Sequence, residues 1–110
     1  MGTWIKSVTF DCADAMVVGR FWAAALGTDL DEDSTSEKAY VEAAGWGGPN
    51  MWFQQVPEPK AAKNRLHFDL RAPGPIRDEV RRLEGLGATV LREEPIVVMA
   101  DPEGNEFCVE

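Results

Sequence analysis

RLHFDLR, Arg65–Arg71, carries the only histidine of a 110-residue chain. Its alternation predicts a strand with Leu66, Phe68 and Leu70 on one face and Arg65, His67, Asp69 and Arg71 on the other. The first face suits a core and the second the floor of a site. His67 and Asp69 are the first candidates for proton transfer or for a specific polar contact to a ligand.

Downstream of this stretch, Pro75–Leu86 reads as a helix. Ile76, Val80, Leu83 and Leu86 make its apolar side, Pro75 suits its first position, Asp78 and Glu79 favour its first turn, and Gly87 closes it. Ala88–Arg92, Ile96–Ala100 and Asn105–Glu110 then read as three strands, the last two joined by the turn DPEGN. Upstream, VPEPKAAKN, Val56–Asn64, is a connecting loop by its prolines. Before that loop, Ile5–Cys12 alternates as a half-buried strand. Asp14 reads as the N-cap of a helix over Ala15–Leu26, with Val18, Phe21 and Trp22 in its apolar stripe and Gly27 just past its end. The acidic run DLDEDSTSEK turns between two strands, and Lys38–Ala44 and Met51–Val56 follow as strands around the glycine-rich turn Gly45–Asn50.

The order strand, helix, three strands therefore occurs twice. Ser7 and His67, and likewise Gly27 and Gly87, are separated by 60 residues, and the triplets WFQ and EFC by 54. A duplication explains this better than unrelated elements would. The expected organisation is α+β: one domain over residues 1–110, with a βαβββ module over 1–57, a loop over 57–64 and a second βαβββ module over 65–110.

With 19 acidic against 11 basic residues the net charge is −8, which argues against nucleic acid, whose phosphates need a concentrated basic surface. No apolar run approaches the ~18 residues of a membrane span, and MGTWIKSV lacks the apolar core of a signal peptide. The expectation is a soluble, cytoplasmic protein. Cys12 and Cys108 are too few for a disulfide framework, make no CxxC pair, and fall on opposite sides of their strands, so both are expected to be reduced thiols.

Taken together, the segments FW…LG (Phe21, Trp22, Leu26, Gly27), VPEPKAAKNRLHFDL, LGA (Leu86–Ala88) and DPEGNEFCV resemble the vicinal oxygen chelate superfamily. This is the glyoxalase, bleomycin-resistance and extradiol-dioxygenase group, and the likeness is to its small glyoxalase-like proteins. It implies two βαβββ modules whose sheets form an open, barrel-like cleft with the helices outside. In metal-dependent members each module supplies one ligand from its first strand and one from its last, typically His and Glu. Carried onto this chain, those four positions are Ser7, Gln54, His67 and Cys108, of which only His67 keeps the usual type. A hydroxyl and an amide are weak donors for zinc, iron or manganese, so no metal or other cofactor is expected. A shifted set of Asp11, His67, Asp69 and Glu106 would need long reach, because His67 and Asp69 stand about 7 Å apart along a strand.

The residues expected to line the cleft are Ser7, Thr9, Asp11, Trp46, Trp52, Gln54, His67, Asp69, Arg71, Glu106 and Cys108. Trp52 shares its strand parity with Gln54 and offers an aromatic wall, with Trp46 as a rim. Asp11, Asp69 and Glu106 make the interior acidic. Cys108 has a lone histidine nearby and reads as a small buried side chain, not a nucleophile. These features, with the resemblance, imply a metal-independent, antibiotic-sequestering type of protein that binds an aromatic or cationic small molecule as a homodimer. The alternative is an isomerase or lyase in which His67 shuttles a proton and Asp69 orients it, with or without a divalent metal.

Overall fold

The computed structural model describes residues 1–45 and 48–110. The chain divides into two compact units, Met1–Pro59 and Lys60–Glu110. In the first, β1 (Ser7–Cys12) leads into α1 (Ala15–Ala25), followed by β2 (Lys38–Val41) and β3 (Asn50–Gln55). The sheet order is β1-β3-β2, with β1 parallel and β2 antiparallel to β3. The strand expected before the acidic turn is reduced to an isolated antiparallel bridge from Leu30 to Val41.

Asp14 starts α1 by accepting from the Met16 and Val17 amides at 3.0 and 3.3 Å, which satisfies two of the donors a helix start leaves open. The helix buries Ala15, Val18, Phe21 and Trp22 against the sheet. Gly19 permits this close approach: a Cβ there would sit 3.0 Å from Leu30 Cδ1 and 3.1 Å from Ala39 Cβ. Phe10 lies 6.0 Å from Trp22 and 5.4 Å from Phe53 between ring centroids, an aromatic core that fills the space under α1.

The second unit has β4 (Phe68–Leu70), α2 (Ile76–Leu86), β5 (Thr89–Arg92), β6 (Val97–Ala100) and β7 (Glu106–Val109), in sheet order β4-β7-β6-β5. β4 is parallel to β7, and β6 is antiparallel to both neighbours. The topology thus repeats: β4 takes the place of β1, β7 of β3 and β6 of β2, while β5 takes the place of the Leu30 bridge. The result is an α+β fold of two small sheets and two helices. Leu83, Met99, Phe107 and Val109 form the buried core of this unit. Gly87, at φ 119°, ends α2 in the left-handed conformation that glycine adopts without strain. Among the described residues, no helix is long and apolar enough to cross a membrane.

Three expectations need correction. RLHFDLR is not a seven-residue strand: only Phe68–Leu70 pair, and Arg65 and Leu66 lie in a bend. Leu66 is therefore 72% exposed and not in the core. Pro75 is the N-cap of α2, with Ile76 the first helical residue, so this helix starts without a side-chain cap.

Candidate functional site

In the second unit, the parallel pairing sets Asp69 opposite Cys108. His67 lies just before β4, and its Nδ1 is 3.3 Å from Asp69 Oδ1. The strand repeat would hold these side chains further apart. They meet because His67 is in the irregular segment, where its side chain turns back toward the strand. One ligand atom from each of His67, Asp69 and Cys108 lies within 4.8 Å of the other two. His67 and Asp69 are exposed, whereas Cys108 is buried. Burial pushes the Cys108 thiol up, and the charge of Asp69, a hydrogen bond with its side chain, and Glu110 push it further, against a smaller pull from Arg92. A thiol raised in this way stays protonated at neutral pH and is a poor nucleophile.

The segment that delivers His67 is anchored through the DPEGN turn. Asp101 is buried and accepts from the Glu103 and Asn105 amides, each at 2.9 Å, while its second oxygen accepts from Asn105 Nδ2 at 2.9 Å. Asn105 in turn accepts from Asn64 Nδ2 at 2.8 Å. Glu106 takes the Asn64 amide at 3.0 Å and Lys60 Nζ at 3.1 Å. Burial raises the Glu106 carboxyl, but the Asn64 amide, its own amide and Lys60 outweigh it and hold the group below its ordinary value. Glu106, expected as a ligand contact, is thus bound to the loop that precedes His67, and its oxygens are committed there. Arg71, just past β4, is exposed.

In the first unit, Ser7, Thr9 and Asp11 face away from α1, as do Trp52, Gln54, Lys38 and Tyr40. The register aligns Thr9, Trp52 and Tyr40 in one row and Asp11, Gln54 and Lys38 in the next. Gln54 Nε2 donates to Asp11 Oδ1 at 2.8 Å. Tyr40 and Trp52 are 4.5 Å apart between ring centroids, and Lys38 Nζ lies 5.2 Å from the Trp52 ring. Lys38 and Tyr40 were absent from the expected lining, although the alternation of KAYV places them with Trp52 once β2 is set beside β3. Trp46 lies outside the described residues. Cys12 points into the core, where its thiol donates to the Gln54 carbonyl at 3.4 Å, and neither cysteine forms a disulfide.

The two registers also refine the internal correspondence. Phe10 stands opposite Phe53 as Phe68 stands opposite Phe107, so the counterpart of His67 is Thr9 and not Ser7. Asp11 corresponds to Asp69, and Gln54 to Cys108. A four-ligand set drawn from both modules does not fit these residues. The first unit offers a hydroxyl and an amide at those places, and the Gln54 amide is turned to donate to Asp11.

The Glyoxalase-like domain model matches residues 7–110. No curated protein matches the sequence. Among solved structures, a glyoxalase/bleomycin resistance protein/dioxygenase family enzyme from Burkholderia phytofirmans is similar at 18% identity and TM-score 0.72, covering 94% of each chain. A possible glyoxalase from Bacillus cereus is similar at 18% identity and TM-score 0.70, covering 98% of each chain. Fosfomycin resistance protein FosX from Mesorhizobium loti is similar at 13% identity and TM-score 0.73, covering 100% of this chain and 92% of that one. At such identities the structures speak for the fold, and the family model, matched over nearly the whole chain, speaks for descent: the chain belongs to the Glyoxalase-like domain family.

Proposed function

We propose that this protein captures an aromatic small molecule on the open face of its first sheet, without a divalent ion in the contact and without turning the ligand over. The observation that carries the reading is the row of half-buried Trp52 and Tyr40 beside Thr9, bordered by the polar row of Asp11, Gln54 and Lys38. Stacked rings supply affinity, and the adjacent donors and acceptors supply orientation. Lys38 already covers the Trp52 ring, so a cationic ligand would have to displace it; the aromatic half of the sequence expectation is the half with support. A homodimer in the cytoplasm completes the reading, and sedimentation velocity checks the former.

The test is fluorescence titration with a panel of planar aromatic compounds in the presence of EDTA. Saturable quenching that disappears in Trp52→Ala is expected, with each compound recovered unchanged. Quenching abolished by EDTA, or unaltered in the variant, would sink the reading.

One geometric fact favours a second reading. His67 Nδ1 and Asp69 Oδ1 stand at 3.3 Å, an arrangement in which the carboxylate fixes the ring while Nε2 moves a proton in isomerase or lyase chemistry. Its mark would be turnover lost in His67→Ala with ligand binding retained.

A further inference from the structure

We propose that His67, Asp69 and Cys108 form a three-donor site for a zinc-class divalent cation, contained within the second unit. The fold builds this cluster: Asp69 and Cys108 are register partners on β4 and β7, and His67 folds back to 3.3 Å from Asp69. One ligand atom from each lies within 4.8 Å of the others. Donors on a tetrahedral ion at 2.0–2.3 Å stand roughly 3.3–3.8 Å apart, so side-chain shifts of about 1 Å close the set.

An imidazole nitrogen, a carboxylate oxygen and a thiolate sulfur suit Zn²⁺ or Co²⁺. The sulfur disfavours Mg²⁺, Ca²⁺ and Mn²⁺, which prefer all-oxygen shells. Three protein donors leave one position for water or another ligand. This is not the four-ligand arrangement that the family resemblance implies, which would draw on both modules. It uses Asp69, which is outside that set, and it omits Ser7 and Gln54. The first unit shows the contrast: at the matching places it holds Thr9, Asp11 and Gln54, and the Gln54 amide donates to Asp11 at 2.8 Å, so the same framework there makes a hydrogen bond. All three donors of the proposed site belong to the second unit.

The experiment is titration of the full chain with Co²⁺, followed by absorbance. One equivalent is expected to produce a thiolate-to-cobalt charge-transfer band in the near ultraviolet together with the visible bands of a four-coordinate ion. Cys108→Ser should remove the charge-transfer band. His67→Ala and Asp69→Asn should each weaken binding by more than the roughly 10–100-fold that loss of an outer-shell partner costs. Equimolar Zn²⁺, which N/O/S donor sets bind more tightly than Co²⁺, should displace the cobalt and abolish the band in the unaltered chain, a readout that requires no variant to fold. Absence of the charge-transfer band in the unaltered chain, or its persistence in Cys108→Ser, would overturn the proposal. Aromatic quenching in EDTA, scored separately, reports on the first unit alone.

Discussion

The two units share a topology and differ in how they use it. In the first, α1 is sealed onto the sheet by Val18, Phe21 and Trp22, the last only 1% exposed. In the second, Leu83 is the one buried residue of α2, Ile76 is 43% exposed, and a cleft of about 530 Å³ opens between α2 and strands β5 and β6. The site positions diverge in the same sense. Asp11 and Gln54 close on each other, whereas His67, Asp69 and Cys108 stand as three donors side by side. The first copy of the motif is the more tightly packed, and the second groups an imidazole, a carboxylate and a thiol.

The largest expected effect is loss of the Co²⁺ charge-transfer band in Cys108→Ser, set against a transplant that fails. Thr9→His combined with Gln54→Cys supplies the same donor types around Asp11, but Thr9 lies inside β1, where the strand repeat holds it away from Asp11, so Co²⁺ stoichiometry stays at one. A stoichiometry of two would show that the register, and not the loop entering β4, makes the site.

Next in size is the packing difference. Trp22→Ala should cost about 3–5 kcal/mol of stability in urea unfolding, since it removes a buried indole and leaves a cavity that the aromatic cluster cannot refill. Ile76→Ala should cost about 1 kcal/mol or less, because its side chain is already partly in water. Equal costs would mean that α2 is covered in solution by another copy of the chain.

The strands that enter the two sites supply a third contrast. β1 is preceded by Met1–Lys6, all exposed, whereas the loop before His67 is held by Glu106 through Asn64 and Lys60. Glu106→Gln should cost about 1–2 kcal/mol at neutral pH. Because the fold lowers the carboxyl, its contribution is complete above the ordinary value of 4.5, fades as the pH falls through the lowered value, and is gone below that. A cost that persists in acid would assign the effect to packing.

Much of this was legible in the chain itself. Alternation and caps located both helices, and Asp14 and Gly87 did so because each performs a local task that few other residues perform. The site was legible as a list of residues but not as a geometry. Nothing in RLHFDLR says that the strand begins only at Phe68, and that late start brings His67 onto Asp69. The role of Glu106 was hidden for a similar reason: its partners Lys60 and Asn64 are more than forty positions away, in a loop whose prolines announce a connection but not its path. Offsets counted along the chain paired His67 with Ser7. Hydrogen-bond register, which sequence spacing does not encode across loops of unequal length, pairs it with Thr9.

The smallest expected effect concerns how the two helices start. Asp14 accepts two amides at the head of α1, so Asp14→Ala should cost about 1 kcal/mol, read from the urea midpoint at constant slope. Pro75 heads α2 with no side-chain hydrogen bond, which suggests that Pro75→Asp would gain a similar amount. It should gain almost nothing. Pro75 has φ −58°, the value its ring already prefers, and so it restricts the unfolded chain at no cost to the folded one. Removing it returns about 0.4–1 kcal/mol of conformational entropy to the unfolded state. That loss offsets the new cap, and a change within about 0.5 kcal/mol of zero is the expected result. A full gain of 1 kcal/mol would show that Pro75 contributes nothing through the unfolded chain, and that the second helix starts weakly with no compensation.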